Sequence, residues 1–280
     1  MPSNHISQIV IIESLSNQEA KTGKILFEYI EGLIAHNNLP ISVQFENSVN
    51  STNFFSILGC ILQDVKSKFE YPLIHIECHG SDDGTGIVLA NDDYISWLDL
   101  KLILTEINIA SESNLMVVLG ACYGAHLTEI IQITDRAPCW AILGPAESVM
   151  PDDLISSYRL FYKELLSTLN WDVALSLLFS SSSRKADYWF VTAQGFFKKA
   201  YSRYLSENCS QSAYWSRAKG INAKLTEEGR KYQSLQPLVY WFRNTEKEYF
   251  EKYRDKFFMV DLYPENSQRF NVDYEEIKAE

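Results

Sequence analysis

The chain has 280 residues, 46% of them hydrophobic and 22% charged, which excludes disorder as its main state and leaves room for one large domain or two modest ones. No apolar run approaches the ~18 residues of a membrane span, and no basic region precedes the short apolar stretch Ile9–Ile12, so the expected compartment is the cytosol. A net charge of −11 argues against binding along a nucleic-acid backbone, and five cysteines without paired spacing read as free thiols rather than a disulfide framework.

Gln8–Ile12 is short, apolar and β-branched, the pattern of a buried strand. Gln18–His36 carries Ile25, Leu26, Tyr29, Ile30, Leu33 and Ile34 on a helical period, and Ile41–Phe45 reads as a second strand. Thr52–Phe69 is a second amphipathic helix, with Asn50 or Ser51 as its N-cap. Tyr71–Glu77 is a third strand. An Asp- and Gly-rich stretch, Ser81–Ser96, follows, and its pieces Ile87–Leu89 and Tyr94–Ile95 read as a hairpin across Asn91–Asp93. Trp97–Ile109 is a helix, Leu115–Leu119 a fourth strand and Trp140–Leu143 a fifth. Helices over Leu154–Thr168 and Val173–Leu178 close this part of the chain. Strands alternating with amphipathic helices predict a mostly parallel sheet covered on both faces.

The remainder differs in character. Residues 1–183 carry 8 Lys and Arg against 22 Asp and Glu, whereas residues 184–280 carry 17 against 14. The last 97 positions also hold 21 of the 37 aromatic residues. The expected division is therefore an α/β domain over residues 1–182 and a helical, aromatic-rich extension over 183–280. In the extension, Ala186–Val191 reads as a last strand and Phe257–Leu262 as a short one. Helices are predicted over Ala193–Leu205, Ser212–Gln233 and Leu238–Phe258. Its basic, aromatic composition fits either a surface for a nucleotide or partner, or interior packing beneath a mixed-charge face.

In open parallel sheets the reactive positions gather beyond the carboxyl ends of the strands. The third strand runs out through Cys78-His79-Gly80 and the fourth through Gly120-Ala121-Cys122-Tyr123-Gly124. If the two strands are parallel neighbours, His79 and Cys122 emerge together. A free thiol, with a pKa of about 8.5, is mostly protonated at neutral pH, and a nucleophilic cysteine needs a neighbouring base. His79 is the available one. Gly80 lets its N–H come close to a substrate carbonyl, and with the Cys122 N–H it can form an oxyanion hole.

The segments Ile74–Gly80 (IHIECHG) and Val117–Ala125 (VVLGACYGA) together resemble the caspase-like cysteine peptidases, most of all their CHAT branch. The likeness continues through Trp140–Gly144 and Ser156–Leu166 and covers about the first 180 residues. It implies a cofactor-independent endopeptidase with a His79/Cys122 dyad, kept latent until a partner protein, a small nucleotide-type ligand or proteolysis activates it. It also points, by analogy alone, to bacterial signalling or anti-phage defence. The sequence departs from the family at Gly120, where caspases carry Gln and their basic-specific relatives often carry Asp. Related enzymes take an acidic pocket residue from the loop after the fifth strand. Here Glu147, Asp152 or Asp153 can fill that role and favour a basic residue before the cut, in keeping with the acidic first region.

Three rival readings stand beside this one. A caspase-like scaffold that binds a partner without cutting is the first. A zinc site from Cys78, His79, Cys122 and His126 is the second, although CxxC and HExxH are absent. The third is calcium held by Asp82, Asp83, Asp92 and Asp93, which lack EF-hand spacing and are explained by solvated turns. Cys78 is read as core, His75 and Glu77 as an interior contact on the opposite face of the strand, and Cys60, Cys139 and Cys209 as inert thiols.

Overall fold

The computed structural model describes residues 6–181 and 187–279, which form two compact units. The first comprises residues up to Ile131 together with Ala137–Thr192, and the second comprises Gln132–Arg136 together with the chain from Ala193 onward. Among the described residues no helix is long and apolar enough to cross a membrane.

The first unit is α/β. Strands β1 (Gln8–Glu13), β2 (Ser42–Asn47) and β3 (Pro72–Glu77) belong to a six-stranded sheet. Two short strands, β4 (His79–Gly80) and β5 (Gly86–Val88), join β6 (Tyr94–Ser96) in a small antiparallel sheet of their own. The large sheet is completed by β7 (Met116–Gly120), β8 (Ala141–Pro145) and β9 (Tyr188–Thr192), in the order β2-β1-β3-β7-β8-β9. All of its neighbours are parallel except β8 and β9.

Alternation along the strands divides the core in two. Val10, Ile12, Ile74, Ile76, Val117 and Leu119 face α2 (Ser51–Lys68) and α3 (Trp97–Ala110), which contribute Phe54, Leu58, Leu100 and Leu104. Ile9, Ile11, Leu73, Met116 and Val118 face the other way. They pack with Leu26 and Ile30 of α1 (Thr22–Asn37), Tyr158 and Phe161 of α4 (Pro151–Thr168), and Leu175 of α5 (Trp171–Ser181). The strands are buried on both faces, which is why they read as continuous apolar runs.

Three expectations need correction here. The first helix begins at Thr22 rather than Gln18, because Glu19 folds back onto Ser16: its N–H bonds the Ser16 carbonyl at 3.2 Å, and its carboxylate accepts the Ser16 N–H at 2.7 Å. The sheet unit extends past Ser182 to Thr192, since β9 pairs with β8 from Ala141↔Thr192 to Pro145↔Tyr188. A 3-10 helix, Gly124–Ile130, follows the fourth parallel strand where no helix was expected.

The second unit is helical, with α6 (Ala193–Asn208), α7 (Gln211–Glu227), α8 (Leu235–Phe257) and two short helices, α9 (Asn266–Arg269) and α10 (Tyr274–Ala279). Its centre is aromatic: the Phe197 ring lies 5.8, 5.3 and 5.2 Å from those of Phe250, Phe257 and Phe258. Arg136 forks onto Asp261 through two hydrogen bonds of 2.7 and 2.6 Å, fastening the segment Gln132–Arg136 into this unit. The expected strand Phe257–Leu262 is a turn. Met259 takes a φ of +59°, and the Met259 and Val260 amides bond back to Lys256 and Asp255. The helix expected to run to Gln233 stops at Glu227, two residues before Gly229, which has a φ of +67°.

Candidate active site

β1, β3 and β7 lie side by side, with Glu13 opposite Glu77 and Glu77 opposite Gly120. The strand order changes direction beside β1, so their carboxyl ends border the crevice where such sheets bind ligands. His79 and Cys122 each stand two residues beyond these paired ends. The structure thus brings both to the same edge, as the spacing predicts.

The main chains meet at Gly80. A Cβ there would lie 1.8 Å from the Cys122 carbonyl oxygen, so only glycine lets β4 pass this close. Gly80 pairs with Ile87, and the adjacent Ser81 N–H bonds the Gly86 carbonyl at 3.0 Å. Antiparallel pairs alternate, so Gly80↔Ile87 is the pair without exchanged bonds and the Gly80 N–H points away from β5. The Cys122 N–H has no acceptor among the described residues. Both amides of the expected oxyanion pair are therefore free of the backbone ladder.

Cys122 sits in a tight turn closed by the Gly124 N–H on the Ala121 carbonyl at 3.0 Å, and Tyr123 carries a φ of +59°, unusual for an aromatic residue. The half-buried thiol lies 3.6 Å from the Ser148 hydroxyl and 3.9 Å from the Val149 carbonyl. The Tyr123 N–H donates to the Glu147 carbonyl at 3.3 Å, which ties the loop after β8 to the cysteine turn. His126, one turn along, contacts the Ala146 carbonyl at 3.2 Å and stacks on Trp189 with ring centroids 6.3 Å apart.

The His79 ring is half exposed, and its Nε2 lies 2.5 Å from Glu19 Oε1. The Ser16 hydroxyl and amide, with the His79 ring, hold the Glu19 carboxyl below the ordinary glutamate range. The Glu19 carboxylate is thus the acceptor for Nε2–H, leaving Nδ1 as the ring nitrogen with a lone pair. No hydrogen bond joins His79 to Cys122 among the described residues. Glu19 is absent from the expected site residues: it lies in a stretch read as helix, and no spacing rule links it to His79 across 60 positions.

Beneath the edge lies a buried polar chain. Thr22 donates to Glu77 at 2.7 Å, and His75 bridges Glu77 and the Tyr162 hydroxyl at 2.7 and 2.8 Å, the interior contact expected for His75 and Glu77. Burial pushes the Glu13 carboxyl up, against the pull of the Lys24 amide and the Lys21 charge; the Glu77 charge adds to the rise. Any side chain at position 120 would meet the Glu77 carboxylate, since a Cβ there would stand 2.4 Å from its Oε1. Glu77 therefore occupies the space in which Gln or Asp would otherwise sit.

Of the three acidic residues expected to shape a pocket, Glu147 is exposed and directly precedes the two residues that touch the thiol. Asp152 and Asp153 stand in the first turn of α4, where they complement the helix dipole. The zinc set is not assembled. Cys78 is buried in the core, where burial, then the Glu77 and Cys122 charges, push its thiol far up, and His126 is engaged elsewhere. Among the described residues no group of three or more His, Cys, Asp or Glu side chains is placed to hold a metal ion. Two of the calcium candidates are engaged by hydrogen bonds: Asp83 accepts from Ser81 and Thr85 in its own turn, and Asp93 accepts from the N–H and hydroxyl of Ser51, the first residue of α2, at 2.8 Å each. A scan against protein-family models and a search of curated proteins both return no match.

Proposed function

We propose that this chain is a caspase-like cysteine endopeptidase in which Cys122 is the nucleophile, His79 the proton carrier and Glu19 the residue that positions His79. The observation that carries this reading is the 2.5 Å contact of Glu19 with His79 Nε2, at the strand edge where Cys122 also emerges. A base oriented by a third group beside a nucleophile is the arrangement that activates thiols and hydroxyls.

His79 Nδ1 takes the thiol proton, and Cys122 Sγ attacks the peptide carbonyl carbon. The Gly80 and Cys122 N–H groups donate to the oxyanion. As the C–N bond breaks, the imidazolium returns its proton to the departing amine, leaving a thioester. Water, deprotonated by His79, then hydrolyses the thioester, and the thiol is regenerated. Glu147, on the loop that touches the thiol, favours a basic side chain before the cut. No step draws on a cofactor.

A second reading, a scaffold that binds a partner without cutting, is favoured by the absence of a His79–Cys122 hydrogen bond and by the seating of the thiol against Ser148 and Val149. Iodoacetamide labelling of the native chain, followed by peptide mass spectrometry, separates the two. Cys60 is the exposed comparator thiol, whereas Cys78 and Cys139 are buried. Alkylation of Cys122 at least tenfold faster than Cys60, lost in His79→Ala, is the expected result. Equal rates at both thiols, with no new N-termini dependent on Cys122 in cells, would leave the scaffold reading standing.

A further inference from the structure

The helical unit contains a cavity of about 230 Å³ that the peptidase reading does not use. Its walls are the rings of Tyr204 on α6 and of Trp241, Tyr249 and Tyr253 on α8, with the Arg217 side chain on α7 reaching in between and the buried Tyr201, stacked on Phe197, beneath them. Trp241, Thr245, Tyr249 and Tyr253 recur every four residues and form one stripe of α8. This stripe differs from the one that builds the core, which is Val239, Phe242, Glu246, Phe250 and Phe257. The cavity rings meet edge-on or tilted: Trp241 and Tyr249 lie 6.0 Å apart at 83°, and Tyr201 and Tyr204 5.5 Å apart at 48°. They do not stack face to face on one another, and Trp241 is 46% exposed.

The charges in the cavity have opposite fates. Glu246 accepts from the Tyr214 and Tyr274 hydroxyls and from Lys278 at 3.1 Å. Burial works against its charge, but these donors outweigh it and hold its carboxyl below the usual range. Three donors hold it, and Lys278 balances its charge. Arg217 lies over the Phe242 ring at 4.2 Å and donates only a long 3.4 Å bond to the Tyr204 hydroxyl. No carboxylate stands within ion-pair distance of it among the described residues. The uncompensated charge in the cavity is therefore positive, and it sits on the side chain best shaped to fork onto an anionic group while stacking on rings.

We infer that this cavity is a binding site for a nucleoside monophosphate, the base lying against the tyrosine and tryptophan rings and the phosphate on Arg217. Aromatic faces accept any base, so selectivity among bases is weak. The volume lies below the roughly 300–1,000 Å³ of sites that enclose a drug-sized ligand, so a monophosphate is only partly enclosed, with its ribose toward solvent beside the exposed Trp241. The inference does not rest on the peptidase reading, because binding is measured directly.

The test is isothermal titration calorimetry of the full-length chain with adenosine, guanosine, cytidine and uridine 5′-monophosphates. Saturable binding of at least one is expected, weakened about tenfold or more by Arg217→Gln, with adenosine binding more weakly than its monophosphate. Trp241→Leu, a change at an exposed ring, is expected to weaken binding with an unaltered thermal melt, which separates loss of the site from loss of the fold. No saturable binding of any of the four overturns the inference. So does an affinity that both variants leave unchanged, or tighter binding of tetramethylammonium, which would make the rings a cage for cations.

Discussion

At the residue scale, the candidate site is defined by what lies beside His79 rather than by His79 and Cys122 alone. A carboxylate bonded to Nε2 selects the tautomer in which Nδ1 is the base, so removing it disorders the ring without touching substrate. Glu19→Ala is expected to lower kcat about 10- to 100-fold, part of the 10²–10⁴ that proton transfer contributes, with KM unchanged and with partial recovery in Glu19→Asp. Steady-state cleavage of a peptide substrate checks this, and an unchanged kcat would remove Glu19 from the mechanism. Glu13 gives a prediction of opposite character. Its folded carboxyl is raised above the usual 4.5, so the native chain holds this proton more tightly than the unfolded one. Stability from this group therefore falls as pH rises from about 4.5 through the folded value. Thermal melts should show Glu13→Gln more stable than the parent chain at pH 7, with the difference disappearing below pH 4. A constant difference at both would assign the effect to packing.

At the element scale, β9 decides where the sheet unit ends. It lies on β8 from Ala141 to Pro145 and covers an edge that would otherwise present unpaired amides and carbonyls. A chain ending at Ser182 is expected to melt several degrees below one ending at Thr192, and to aggregate more readily by light scattering. Equal melting temperatures would mean that β9 contributes nothing to the sheet. The loop between β1 and α1 matters in the same way. Had the helix begun at Gln18, Glu19 would project from its first turn, and the fold back onto Ser16 that aims it at His79 would be lost.

At the scale of the whole molecule, the charge division read from composition falls close to the division between units, but not on it. The acidic balance belongs to the part holding the site, and a field of one sign over a cleft speeds encounter with substrates of the other sign. Cleavage of a basic peptide is therefore expected to slow several-fold in kcat/KM between about 0.02 and 0.3 M salt, as the Debye length shrinks from roughly 20 Å to under 8 Å. A salt-independent rate would show that the acidic surface does not guide substrate. The helical unit, where rings and basic residues concentrate, needs a different account, which its cavity and Arg217 supply.

The amino-acid order alone determined the five parallel strands, the helices α2, α3 and α4, and the emergence of His79 and Cys122 at one edge of the sheet. Strand burial on both faces leaves unbroken apolar runs, and parallel neighbours align their exits. It also determined the His75–Glu77 contact, since residues two apart on a strand share a face. The place of Glu19, the filling of position 120 by the Glu77 carboxylate, the end of the sheet at Thr192 and the cavity around Arg217 were decided only in three dimensions. Each depends on residues far apart in the chain, or on a local turn that competes with helix. Hydrophobic periodicity reports which side of an element is buried, but not what a polar side chain at its end will reach.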